Sequence, residues 1–161
     1  MRNIFKKKKA VFVVASPVNG ECIQLEEVAD AVFNTKMLGE GVAFKLADSF
    51  IYAPCDGVIT LITSTKHAFG ILSDNGAELL VHVGLDTVNL NGKGFRVLVN
   101  QGDRIRKGMA VIEVDNDFMK KQQIDLTTPL VITNSDDYAV KIMGHYGYVK
   151  VGDPILEVNK K

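Results

Sequence analysis

The sequence lacks tryptophan, is poor in aromatic residues and has no excess of charge of either sign. Its 161 residues include 7% aromatics, 19 basic and 19 acidic side chains. Nucleic-acid binding usually relies on a basic face or on aromatic side chains that stack on bases. The composition therefore gives no support for a nucleic-acid partner, and we expect none.

Long hydrophobic runs and a cysteine framework are also missing. No apolar run approaches the ~20 residues of a membrane-spanning helix. Val11 to Val14 is too short for the apolar region of a secretory signal, and Pro17 and Gly20 fit a turn. Two cysteines, Cys22 and Cys55, are too few for a disulfide scaffold. We expect a cytoplasmic protein.

The N-terminus carries a basic block, Lys6 to Lys9, directly after Ile4 and Phe5. We interpret residues 1–15 as a basic arm followed by a first strand, and residues 16–161 as a single domain. The arm is either solvated or attracted to an anionic membrane surface.

Short strands separated by dense turn signals dominate the chain, which predicts an all-β sandwich or barrel with very little helix. Short helices are expected only within Glu26 to Phe33 and at Asn116 to Lys121. The predicted strands are Val11 to Ala15, Gly20 to Ile23, Gly41 to Leu46, Ser49 to Ala53, Gly57 to Ile62, Ala68 to Leu72, Glu78 to Val83, Lys107 to Val114 and Tyr148 to Val158.

Two pairs of segments repeat one another. SPVNGECIQL (16–25) resembles APCDGVITLI (53–62), and VNQGDRIRKGMAVIEV (99–114) resembles YVKVGDPILEV (148–158). Proline and glycine bracket the turn in the first pair, and Gly-Asp opens the turn in the second. The repeats indicate an internally duplicated strand-turn-strand fold.

A histidine interrupts the apolar run from Leu79 to Leu85. Side chains alternate between the faces of a strand, so Leu79, Val81, Val83 and Leu85 should share one face. His82 then stands on the other face, between Leu80 and Gly84. It is either a buried structural histidine or one presented through a shallow apolar surface.

A second histidine, His67, is expected to meet the first. The turn signal at Asp74-Asn75 lies midway between residues 67 and 82. A hairpin folded about that midpoint makes the two histidines cross-strand neighbours, with Cβ atoms about 5 Å apart. Thr65, His67 and Phe69 should share a strand face, so the Thr65 hydroxyl can bond to the imidazole and fix its tautomer.

Two adjacent imidazoles suggest two chemistries. They could hold a metal, but a closed zinc site needs three or four ligands. No local Cys or His supplies the others, and Cys55, although possible, has no ligand-like spacing. Alternatively, one ring is a nucleophile and the other supports the anion it acquires, as in phosphoryl transfer. No nucleotide-binding fingerprint is visible, so the phosphoryl donor is expected to be a protein rather than ATP.

At these residues the sequence resembles the glucose-class IIA components of the bacterial phosphoenolpyruvate-dependent sugar phosphotransferase system. The likeness runs from Ser16 to Val158 and is most specific in TKHAFGI (65–71) and HVGLDTV (82–88). Further matching segments are SPVNGE (16–21), VADAVFNTKMLGEGVAF (28–44), APCDGVI (53–59), NGAELLVHVGLDTVNLNGKGF (75–95), QGDRIRKG (101–108) and TPLVITNSD (128–136).

The resemblance implies a phosphotransferase component that needs no cofactor. His82 stands at the phosphorylated histidine, which attacks through Nε2 while a backbone carbonyl, that of Gly84, holds Nδ1. His67 stands at the histidine that supports the phosphoryl group, and Thr65 at the hydroxyl that orients it. The implied donor is the phosphocarrier protein HPr, and the implied acceptor is the IIB domain of a sugar permease.

The resemblance also implies a docking surface. Asp30 and Asp86 match acids at its rim, although Asp86 could simply shape a turn and Asp30 could be a helix-surface acid. The apolar docking positions are Val32, Phe33, Leu80 and Val83, with Phe33 equally compatible with a core role. Thr63 stands where some members carry a large apolar residue, which weakens the expected patch on that side.

Other interpretations stay open. Biotinyl and lipoyl carriers are also duplicated β-folds, and Lys36-Met37 resembles part of a biotinylation motif. Some family members regulate permeases and kinases through the same face, where His67 and His82 could bind zinc between two proteins; an intrinsic metal site is not expected. His145 is expected to be a surface loop residue. Met1 and Lys160-Lys161 suggest a free-standing IIA protein.

Overall fold

The computed structural model describes residues 11–161, and the basic block at 6–9 lies outside these residues. Strands are the main regular structure of the described part, and helices are few and short, which confirms the all-β prediction. The strands are β1 (Val13–Ala15), β2 (Gly20–Gln24), β3 (Glu40–Leu46), β4 (Phe50–Tyr52), β5 (Gly57–Ile62), β6 (Ala68–Ser73), β7 (Glu78–His82), β8 (Phe95–Val97), β9 (Arg104–Ile105), β10 (Ala110–Val114), β11 (Thr128–Ile132), β12 (Tyr138–Ile142), β13 (Gly147–Val149) and β14 (Pro154–Lys160).

Helices are short. The α-helices are α1 (Ala31–Asn34) and α2 (Asn116–Lys121), and 3-10 turns lie at Leu25–Glu27, Thr87–Leu90 and Ser135–Asp137. Within residues 11–161, no helix has the length and apolar character needed to cross a membrane.

The strands form three antiparallel sheets. One has eight strands in the order β13-β2-β3-β11-β7-β6-β5-β9, and the two smaller ones have the orders β1-β14-β12 and β4-β10-β8. The main core contains buried side chains from all three sheets, such as Val14, Ile112 and Val81. Alternation along β7 follows the expected pattern, with Leu79 and Val81 buried and Glu78 exposed.

The sheet order reveals the internal duplication that the sequence repeats indicate. One half consists of β4 to β10, and the other consists of β1 to β3 together with β11 to β14. Each strand of one half has a counterpart at the same relative place in the other, and β7 and β11 pair at the centre of the large sheet. Matching hydrogen bonds join the two halves: Ala15 N–H donates to Pro54 O over 2.8 Å, and Tyr52 N–H donates to Pro17 O over 2.7 Å. One half is therefore contiguous, and it is inserted into the other.

One detail of the repeat alignment is wrong. The Gly152-Asp153 turn, in which Gly152 N–H donates to Ser16 O, corresponds to Gly108-Met109, in which Gly108 N–H donates to Ala53 O. The Gly-Asp pair at 102–103 belongs to the preceding turn. Turns converge on glycine and aspartate for local reasons, so these residues alone do not fix the alignment.

The two halves differ in what covers the sheet face that carries Leu80 and His82, here called the outer face. Residues 25–39 connect β2 to β3 and cover the outer face of that half, forming a second apolar cluster with Phe33, Ala43 and Val131 among its buried members. The equivalent connection from β5 to β6 comprises only residues 63–67. The outer face of β5 and β6 is consequently left uncovered by the described chain.

Candidate functional site

The β6–β7 hairpin brings the two histidines into contact. Their ring centroids are 4.7 Å apart and their planes are inclined at 78°. His67 is nearly buried, with 6% of its surface exposed, and His82 is half-buried. The two rings therefore meet as expected, but the strand pairing that brings them together differs from the prediction.

The hairpin register differs by one residue from the prediction, because His82 pairs with Ala68 rather than with His67. The turn is centred on Asn75, whose side-chain oxygen accepts bonds from the Ser73 hydroxyl and from Ala77 N–H. This three-residue loop shifts the pairing. The rings still meet because His67 precedes β6 and follows Lys66, whose φ is +61°, so strand alternation does not set its direction.

His82 has one nitrogen committed and one available. Its Nδ1 lies 2.7 Å from Gly84 O. A carbonyl can only accept, so Nδ1 carries the proton and Nε2 keeps its lone pair in the neutral ring. The sequence resemblance implied this bond to the Gly84 carbonyl, and the geometry provides it.

The Gly84 carbonyl is held by a loop that sequence reasoning missed. Thr87 donates its hydroxyl proton to Val83 O over 2.7 Å, and Leu85 N–H donates to Asp125 O over 2.9 Å. Gly84 itself has φ +81°, and a Cβ there would lie 2.5 Å from Thr87 Cγ2. The glycine is the only local signal, and Asp125, which accepts the bond from Leu85, is too distant in sequence to be recognised.

His67 is oriented by threonine hydroxyls. Thr65 Oγ1 lies 2.7 Å from His67 Nδ1, which is the expected contact, and Thr63 Oγ1 lies 3.4 Å from the same nitrogen. The predicted shared strand face is wrong, because β6 begins at Ala68 and Thr65 belongs to the preceding turn. The hydrogen bond forms within that turn instead.

Burial keeps both imidazoles neutral. It is the main cause that lowers the pKa of His82, and it outweighs the Gly84 bond and the charges of Asp30 and Asp86, which raise this pKa. Burial also lowers the pKa of His67, and the neighbouring His82 lowers it further. Both rings are therefore predominantly neutral near pH 7, as a nucleophile requires.

The acids expected at the rim both lie near His82. Asp30 is half-buried and caps α1, its carboxylate accepting from Val32 N–H over 2.9 Å. Asp86 is exposed in a left-handed conformation with φ +57°. The structural alternatives also apply, because Asp30 caps a helix and Asp86 lies in a turn. Both carboxylates are nevertheless close enough to His82 for their negative charges to raise its pKa.

The apolar docking positions divide into two groups. Val83 is fully buried in the main core, so its assignment to a docking surface is wrong; it shares the inward face with Val81. Phe33 is only 3% exposed and packs its ring 5.1 Å from that of His82. Val32, with 39% of its surface exposed, and the partly buried Leu80 remain accessible.

A partly apolar groove lies on the uncovered outer face. It has a volume of about 280 Å³. Its lining includes Leu61, Gly70, Leu72 and Leu80. Leu80, which lines the groove, precedes His82 by two residues on the same face of β7, so the groove and the His82 ring lie on the same side of the sheet.

Two other predictions can be placed. His145 is exposed in the loop before β13, as expected. Lys36, the candidate attachment residue for a carrier, forms ion pairs of 3.1 Å with Glu26 and Glu40. Among residues 11–161, no three or more His, Cys, Asp or Glu side chains group as metal ligands.

Comparison with known proteins agrees with this arrangement. Residues 12–138 match the family "phosphoenolpyruvate-dependent sugar phosphotransferase system, EIIA 1". The structure is similar to the glucose permease IIA from Mycoplasma capricolum, with a TM-score of 0.86 and 35% identity, over 93% of this chain and 96% of that one.

Curated relatives are much longer proteins. The chain is 42% identical over 91% of its length to a PTS system glucose-specific EIICBA component of Staphylococcus carnosus, and covers 22% of that protein. It is 39% identical over 95% of its length to a PTS system N-acetylglucosamine-specific EIICBA component of Klebsiella pneumoniae, and covers 24% of it. Because the family match spans residues 12–138, the chain belongs to the EIIA type 1 family of the phosphoenolpyruvate-dependent sugar phosphotransferase system, as a phosphoryl-carrying component of that system.

Proposed function

We propose that His82 is the residue that carries the phosphoryl group, that phospho-HPr donates it and that the IIB domain of a sugar permease accepts it. The observation that carries this proposal is the Nδ1 bond of His82 to Gly84 O, which leaves the Nε2 lone pair free beside the ring of His67. We also propose that residues 16–161 act as a single EIIA domain in the cytoplasm.

The chemistry needs little beyond positioning. The Nε2 lone pair forms the new N–P bond as the bond between phosphorus and the donor's histidine breaks, and the donor's ring recovers its electron pair. Phosphoryl transfer depends mainly on alignment and on stabilising charge. In this site His67 supplies a neutral ring with an N–H for a phosphoryl oxygen, and the Gly84 carbonyl stabilises the proton on Nδ1 as the His82 ring gains positive charge.

The surroundings match a basic partner with an apolar contact surface. Asp30 and Asp86 place negative charge near His82 and would attract a basic face of HPr. Val32, Leu80 and the adjoining groove offer apolar area around the nucleophile. Acids at a rim around an apolar centre are a common arrangement at protein interfaces.

The experiment is phosphorylation by phosphoenolpyruvate, enzyme I and HPr, with acid-labile phosphate on the chain as the readout. The wild-type chain should gain about one phosphate, His82→Gln should gain none, and His67→Gln should accept phosphate but transfer it poorly to IIB. His145→Gln is the matched control, because it removes an exposed histidine outside the site. Phosphate on the His82→Gln chain would refute the assignment.

A further inference from the structure

Two hydroxyl groups converge on the same nitrogen of His67. Thr65 Oγ1 is 2.7 Å from Nδ1 and Thr63 Oγ1 is 3.4 Å from it. A ring nitrogen offers one lone pair or one proton, so it forms one strong hydrogen bond at a time. Thr65 makes that bond, and Thr63 stands at the edge of hydrogen-bonding distance.

Thr63 is held in this place by the backbone. Its N–H donates to Ala68 O over 3.1 Å, and its hydroxyl oxygen accepts from Ala68 N–H over 3.2 Å. Its carbonyl accepts from Lys66 N–H over 2.9 Å. These bonds close the short connection that carries His67, so the hydroxyl position is fixed whether or not it contacts the ring.

The Thr63 hydroxyl donates to Ala68 O over 3.3 Å, and His67 Nδ1 lies at nearly the same distance as an alternative acceptor for this proton. The oxygen already accepts from Ala68 N–H. Two hydroxyl donors beside Nδ1 favour the tautomer in which Nδ1 accepts and Nε2 carries the proton.

We propose that Thr63 is a second positioning residue for His67, a reserve donor that keeps the ring proton on Nε2 when the Thr65 hydroxyl is absent. The two threonines then act as a unit with overlapping roles. The consequence for transfer rests on the proposed function, because the Nε2 proton of His67 is the one available to a phosphoryl group on His82. The tautomer itself does not depend on that function.

The test measures the His67 tautomer by long-range ¹H–¹⁵N NMR in Thr65→Val, Thr63→Val and the double variant. We expect the Nε2–H tautomer to persist in each single variant and to be lost or mixed with the other tautomer only in the double variant. If the double variant does not fold, loss of the Nε2–H tautomer in Thr65→Val still overturns the proposal. Loss of the Nε2–H tautomer in either single variant, or its persistence in the double variant, overturns the proposal.

Two further variants separate positioning from folding. Thr63→Ser in the Thr65→Val background keeps a hydroxyl at position 63 and should retain the Nε2–H tautomer. Thr128→Val removes a comparable hydroxyl, one that donates to Leu126 O over 2.8 Å, and should leave the His67 tautomer unchanged. A tautomer change in Thr128→Val would show that general loosening of the fold, and not the hydroxyl at Nδ1, controls the ring.

Transfer to IIB gives a second readout. Thr65→Val should slow transfer by about two- to tenfold, the range expected for one neutral hydrogen bond, and Thr63→Val should leave it nearly unchanged because Thr65 still makes the bond. The double variant should slow it by more than the product of the single effects, because each threonine compensates for the other. Simple multiplication of the two effects would contradict the proposal, whereas failure of the wild-type chain to be phosphorylated would count against the proposed function and leave the NMR result valid.

Discussion

At the scale of single residues, the proposed role of His82 requires a neutral ring. Burial lowers its pKa, and the charges of Asp30 and Asp86 only partly reverse this effect. The carboxylates that would attract a basic partner under the proposed function therefore also favour, to a limited degree, the protonated form of the ring.

The rate of phosphoryl acceptance should be nearly independent of pH down to about 6.5, the ordinary pKa of histidine. It should fall only below that value, because the lowered pKa of His82 keeps Nε2 unprotonated. The measurement is the initial rate with excess purified phospho-HPr, so that enzyme I does not contribute. An NMR titration of His82 in the same buffers is the control, and a midpoint above 6.5 would contradict the expectation.

Gly84→Ala should impair both stability and phosphorylation. The positive φ strains an alanine, and its Cβ would lie 2.5 Å from Thr87 Cγ2, so the carbonyl that holds His82 must move. We expect a loss of about 1–3 kcal/mol in the free energy of unfolding, measured by urea denaturation, with slower phosphate acceptance. Gly102→Ala is the matched control, since φ is +93° there but a Cβ meets nothing within 4 Å; equal effects on phosphorylation would disprove the argument.

At the scale of elements, the segment from β2 to β3 joins the acid rim to the second apolar cluster. Asp30 caps α1, while Phe33 anchors the segment in the cluster and contacts the ring of His82. A short helix of this kind depends on its cap and its packing more than on its own propensity. Charge and capping at Asp30 can be separated by mutation.

Asp30→Asn should keep the fold but weaken docking. Asparagine caps helices as well as aspartate does, so the unfolding free energy should change little, whereas Asp30→Ala should lose about 0.5–2 kcal/mol. Without the negative charge the pKa of His82 falls further and the attraction for a basic partner decreases. Binding of HPr by calorimetry at low and high salt checks this; an unchanged affinity at low salt would show that the charge has no docking role.

The strands that could be predicted are those with clear patterning. Alternation identifies β7, and turn signals bound β5 and β6, but β11 was missed because all five of its residues are buried and it contains Pro129. Pairing of β11 with β7 begins at Leu130, so the proline lies beyond that ladder. The remaining strands that were missed, β8, β9 and β12, have two to five residues and form through contacts distant in sequence.

The site was predictable to the extent that its chemistry is local. The pairing of two histidines across one turn follows from spacing, even though the register was wrong by one residue. The family resemblance implied the Gly84 bond. Strand alternation already placed Val83 on the face of Leu79 and Val81, where it is buried, and only the resemblance assigned it to the docking surface. The supports at Thr87 and Asp125 depend on the folded loop, which no local pattern encodes.

At the scale of the whole molecule, both histidines lie in the contiguous half, and their neutral forms are coupled to folding. The folded-state pKa of each is lowered, so the unfolded chain binds protons first as the pH falls below about 6.5. By linkage, their stabilising contribution is complete above that pH and is lost as the pH decreases towards the folded-state values.

The melting temperature should therefore decrease between pH 7 and pH 5, and it should do so less steeply in the His67→Gln/His82→Gln double variant. Thermal denaturation of both proteins across this range, in one buffer series, is the measurement. His145→Gln provides the control for removal of a histidine outside the site. Parallel pH profiles for the wild type and the double variant would show that the buried rings do not contribute.

The short connection between β5 and β6 leaves bare the part of the outer face that the β2–β3 connection covers in the other half. Under the proposed function, the phosphoryl donor and the acceptor must each cover this bare face to reach Nε2 of His82. The two partners then compete for one surface and one lone pair, so they cannot bind at the same time. An excess of either partner should therefore slow transfer to the other.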